Sequence, residues 1–149
     1  MWDPFTSFER FELPNGLRCH VATLDRPWEY VGVLIHAGAA YDPRGREGMA
    51  HFVEHLLPEV LSGITFAALR EEFDGRSISY DFGSTRERVN QLLFRVPIAG
   101  DNLERVFDVV GRMLFLPTFT DDELVGRERL VVLEEANERL PFSIERRWR

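Results

Sequence analysis

His51-Phe52-Val53-Glu54-His55 is the segment whose residue types and spacing point to chemistry. On a helix, residues four apart lie on one face, so the imidazoles of His51 and His55 can converge on a single metal ion. Glu54 is three residues from His51 and one step round the helix from His55. From there a carboxylate can approach water on the metal without being a ligand itself. Two histidines that bind and one carboxylate that takes a proton is the division of labour of zinc hydrolysis. The order is that of the inverted His-x-x-Glu-His signature.

The plain alternative is two helix histidines beside a surface glutamate, and the pentapeptide alone leaves it open. A hydrolytic zinc site needs a third protein donor, with water at the fourth position. Glu128, Val131, Val132 and Glu135 recur at i, i+3, i+4 and i+7, with Leu124 four residues earlier. Burying two uncompensated carboxylates on such a stripe is expensive, and a metal explains at least one of them. Glu134 lies about 100° round the helix from Glu135, towards Arg127 and Leu130, and reads as solvated. Glu138, one turn beyond Glu135, remains open as a supporting group.

Elements must bring these residues together. Phe8 to Leu13 and Leu17 to Leu24 read as strands joined by a hairpin at Pro14-Asn15-Gly16. Glu29 to His36 is a β-branched, nearly continuous apolar run that suits a buried central strand. After a Gly-rich loop, Met49 to Val60 reads as a helix, with Pro58 leaving its end open. Thr65 to Phe73 is expected to form a second, short helix. Ser77 to Phe82 and Asn90 to Val96 form a hairpin around Gly83-Ser84-Thr85. Asp101-x-x-Glu104 is a capping pattern for a helix reaching Phe115. Thr120-x-x-Glu123 is a capping box for a last helix, expected to end near Leu140 before Pro141. The expected fold class is α+β, a mainly antiparallel sheet with helices packed on one face.

Two separate stretches resemble a known family. Leu13-Pro14-Asn15-Gly16-Leu17, Gly38 through Tyr41-Asp42-Pro43, and Gly48-Met49-Ala50-His51-Phe52-Val53-Glu54-His55-Leu56-Leu57 resemble the N-terminal module of the insulinase-like (pitrilysin, M16) metallopeptidases. Leu116-Pro117-Thr118-Phe119, Glu128-Arg129 and Val132-Leu133-Glu134-Glu135 resemble that module's later helix. The resemblance implies a zinc peptidase, with His51, His55 and Glu135 as ligands and Glu54 as the base. It makes Glu128 a glutamate that supports the site without binding zinc. It also implies a peptide substrate and a second related module that closes over it. Self-association is the alternative expectation, because a C-terminally short module should leave apolar surface uncovered. One departure is Gly75-Arg76-Ser77-Ile78-Ser79-Tyr80-Asp81, where the family shows an Asn-Ala pair alongside substrate.

The chain has 149 residues, 44% hydrophobic and 29% charged, a composition suited to one globular domain. Residues 1–149 are read as a single module of this type, incomplete at its C-terminus. The net charge of −7 argues against nucleic acid, whose phosphates call for clustered Lys and Arg. No run reaches the length of a transmembrane helix, so no membrane is expected. Cys19 is alone, which rules out an internal disulfide, and the N-terminus lacks the regions of a signal peptide. A cytoplasmic location is therefore expected. Cys19 is expected as a small core residue, His20 as exposed, and His36 in a structural or supporting role. Trp2, Trp28 and Trp148 read as packing groups. The rival to a peptidase is a non-catalytic assembly or peptide-binding module of the same descent.

Overall fold

In the computed structural model, residues 5–59, 61, 63–85, 89–118 and 122–145 are described. For residues 5, 6, 84, 85, 122, 123 and 137–145 only the backbone is described. Trp2, Trp148, the Thr120 end of the capping box and the Glu138 side chain lie outside these limits.

The first hairpin pairs β1 (Phe5–Glu12) with β2 (Arg18–Leu24), antiparallel. Its turn has Gly16 at φ 85°, a conformation open to glycine at little cost. The Asn15 side chain accepts from the Leu17 N–H at 3.1 Å. His20 is exposed, as expected, and its ring meets Phe8 at 6.0 Å. Cys19 is only half-buried, because its strand belongs to a two-stranded ribbon and not to the core.

A second sheet has the order β3-β5-β4, all antiparallel, from β3 (Trp28–Ile35), β4 (Ser79–Thr85) and β5 (Val89–Pro97). The apolar run in β3 does not make it central. That place falls to β5, while Tyr30 and Leu34 of β3 point to solvent. Gly83, Ser84 and Thr85 are strand rather than turn, with Thr85 opposite Val89.

Four helices follow from the sequence with shifted ends. α1 (Met49–Leu56) stops short of Val60. Pro58 has no N–H to bond the carbonyl one turn back, and Glu59 N–H instead reaches Leu56 in a tighter turn, 3.0 Å. α2 (Phe66–Gly75) is capped by Thr65, whose hydroxyl accepts from the Ala68 N–H. α3 (Asn102–Phe115) begins where the capping pattern placed it, but Asp101 gives its carboxylate to Arg76 at 2.6 Å instead of to the helix. α4 (Asp122–Glu145) passes through Pro141. A proline removes one hydrogen bond and can kink a helix without ending it.

α2 and α3 cover one face of the three-stranded sheet. Leu69, Phe73, Phe94, Val96, Val106, Val109 and Met113 are almost fully buried between these layers, each worth about 1.5–3 kcal/mol in transfer free energy. Arg105 of α3 donates from Nε and an Nη to the two carboxylate oxygens of Glu72 on α2, at 2.8 and 2.7 Å. This fork holds the two helices in register. No helix among the described residues is long and apolar enough to cross a membrane.

Candidate metal centre

α1 lies against β4 and against α4. The second contact is what assembles the site. Residues 51 and 55 stand one turn apart on α1, and residues 128 and 135 stand two turns apart on α4. The packing turns both pairs towards the same gap.

His51 Nε2 and His55 Nε2 are 3.2 Å apart. Glu135 places Oε2 3.3 Å from His51 Nε2 and Oε1 3.7 Å from His55 Nε2. Zinc bonds of 2.0–2.1 Å in a tetrahedron give ligand–ligand edges of about 3.3–3.4 Å. The three observed separations lie close to that edge length. Among the described residues these three are the group of His, Cys, Asp and Glu side chains that can jointly hold a metal ion. Their donor set, two imidazoles and a carboxylate, is the type zinc takes at hydrolytic centres.

Glu128 reaches the far side of the same imidazole. Its Oε2 is 3.6 Å from His55 Nδ1, and its side chain is only 13% exposed. A carboxylate on Nδ1 leaves Nε2 as the nitrogen facing the gap. Arg127 donates to the other oxygen, Oε1 of Glu128, at 3.1 Å. Glu54 sits between the two histidines in sequence, and its Oε2 is shut off from solvent. Glu134 is exposed, as its helical angle requires. His36 lies apart from the group and pairs with the Tyr41 hydroxyl at 3.1 Å, consistent with a structural role.

Two further residues grip α1, and sequence reasoning gave them no role. The Asp42 carboxylate accepts from the backbone N–H of Gly48 at 2.7 Å and of Ala50 at 2.9 Å. Asn90 of β5 is buried, and its amide nitrogen donates to the carbonyls of Ala37 at 3.3 Å and Ala50 at 3.5 Å. Asp42 lies six and eight residues from the groups it binds, across an irregular loop, so spacing alone carries no signal for it.

The family model for insulinase (peptidase family M16) matches residues 25–140, and the chain belongs to that family. It is 33% identical over 129 residues to the probable mitochondrial-processing peptidase subunit beta of Arabidopsis thaliana, covering 85% of this chain and 23% of that protein. It is 23% identical over 132 residues to an uncharacterised zinc protease of Rickettsia bellii, covering 87% of this chain and 31% of that protein. A protease from Helicobacter pylori has the same fold, with a TM-score of 0.78 at 22% identity, over 89% of this chain and 31% of the other. The chain spans only 23% to 31% of the length of these curated relatives.

Proposed function

We propose that this chain is a zinc-dependent metalloendopeptidase module that hydrolyses peptide bonds. The observation that carries the proposal is the convergence of His51, His55 and Glu135 from two helices to separations of 3.2–3.7 Å. The three residues fit zinc in donor type and spacing, and they are the ones that would hold it. When bound, zinc supplies Lewis-acid activation of water and of the scissile carbonyl.

The remaining steps belong to the chain. Glu54 takes the proton from the attacking water on its carboxylate and later delivers it to the leaving amine. Glu128 orients His55 through Nδ1. The peptide adds as a strand along the outer edge of β4, which lies at the edge of its sheet beside α1. A complementary module of the same family, or a second copy of this chain, closes over the peptide. The relatives whose names carry the word subunit support that expectation.

A non-catalytic assembly or peptide-binding module is the competing reading. The segment from Gly75 to Asp81, which departs from the family pattern, favours it. Elemental analysis separates the metal question from the catalytic one. One zinc per chain is expected, with loss in His51→Ala and in Glu135→Gln. Full zinc in both variants would remove the assignment. Full zinc in Glu135→Gln alone would transfer the third position to Glu134 or Glu138.

A further inference from the structure

α1 is eight residues long, about two turns, and a helix of that length is marginal without outside support. Its N-terminal cap, Gly48 at φ 93°, offers no side chain to the free N–H groups, and its first turn carries no acidic residue. The first N–H groups of a helix have no partner within it. Here Asp42 takes two of them, one with each carboxylate oxygen, at 2.7 and 2.9 Å. The carboxylate also stands at the positive end of the helix.

The second of these groups belongs to Ala50, the residue before His51. Asn90 reaches the carbonyl of the same residue from β5. Ala50 is thus held at its N–H from the loop and at its carbonyl from the sheet, and it is itself 8% exposed. Both neighbours of the Asn90 amide nitrogen are carbonyls, which fixes the orientation of that amide, because an oxygen turned there would face two acceptors. A helix gripped at one residue from two directions cannot rotate about its axis or slide without breaking those bonds.

We propose that Asp42, with Asn90 as its counterpart, is a positioning residue for the metal-binding helix, fixing the angle at which α1 presents His51 and His55 to Glu135. The proposal rests on the zinc reading above. The site tolerates little rotation, since its donor separations already span 3.2–3.7 Å around a tetrahedral edge of about 3.3–3.4 Å. Groups that orient metal ligands typically contribute 10–100-fold to metal affinity.

The test uses the full chain and two probes, zinc and cobalt(II). Zinc affinity is measured by competition with a chromophoric chelator, and the ligand field by the visible absorption of the cobalt-loaded chain. Circular dichroism of the metal-free chain serves as the fold control. Asp42→Ala is expected to weaken zinc binding by roughly 10-fold or more and to alter the cobalt spectrum, with the fold retained. Asn90→Ala is expected to do the same to a smaller degree. If Asp42→Ala does not fold, Asp42→Asn, which keeps one acceptor oxygen, is read in its place. Unchanged affinity and an unchanged cobalt spectrum in a folded variant would overturn the positioning role, even if the variant melts earlier. His51→Ala runs in parallel. If it also keeps full zinc affinity, the failure lies with the zinc site itself and not with Asp42.

Discussion

Glu54 and the two histidines differ in what their loss removes. A base acts on water and is not needed to retain the metal, so Glu54→Gln is expected to keep zinc and to lose peptide cleavage by about 10²–10⁴-fold. Zinc content and cleavage measured on one sample check this. Loss of zinc would make Glu54 a ligand, and retained cleavage would take it out of the mechanism. Glu128→Gln keeps a neutral oxygen near His55 Nδ1, so zinc affinity should fall by roughly 10-fold, read by the same chelator competition. That His51 and His55 share one helix face, and that Glu128 and Glu135 share another, is legible in sequence because regular helix geometry converts spacing into direction. Which of the two carboxylates meets both histidines depends on how the helices pack. The Asp42 grip is not legible, because its geometry depends on how an irregular loop folds back, and no period encodes that.

The helices are joined by charge as well as by the core. The Arg105 guanidinium bonded to Glu72 holds that carboxyl below its ordinary range, and Arg76 does the same for Asp101. A carboxyl whose pKa is lowered on folding contributes stability above its unfolded value, about 4.3 for Glu. That contribution is lost as pH falls through the folded value. Arg105→Ala is expected to cost roughly 1–3 kcal/mol at neutral pH, measured as a lower urea midpoint. Glu72→Gln should show a shallower loss of stability than wild type between about pH 4 and the acid limit. An equally steep loss would show that this pair does not drive the acid transition. At this scale the kinds of element were readable, since apolar period separates strand from helix. Their places were less so. The run in β3 reads as central, but apolar content does not say which strand has neighbours on both edges. Pro58 and Pro141 look alike in sequence, yet only the first coincides with a helix end.

As a whole the molecule exposes much apolar surface. Phe107, Phe115, Leu116 and Leu130 are each more than half exposed, as are Tyr30 and Leu34 on the uncovered sheet face. Scattered apolar residues are ordinary, but extended patches mark contact surfaces. On the proposed reading the purified chain should self-associate or bind a related module, which sedimentation velocity can follow. Alone it should cleave an unstructured peptide weakly or not at all. Losing even one donor to the developing oxyanion costs roughly 10²–10³-fold, and no Tyr or Arg of this chain falls in a motif assignable to that task. Efficient turnover by the monomer, lost in Glu54→Gln, would overturn this. The seating of α4 has a further consequence. Among the described residues its main contact is α1, so on the proposed reading an ion shared by His55 and Glu135 would be a staple across a chain segment of about 80 residues. In a chain-entropy treatment, a cross-link of that span removes freedom from the unfolded ensemble equivalent to about 4–5 kcal/mol. The zinc would then decide whether the last helix stays docked. Adding a chelator should speed amide hydrogen exchange along α4 while the α2–α3 layer keeps its protection.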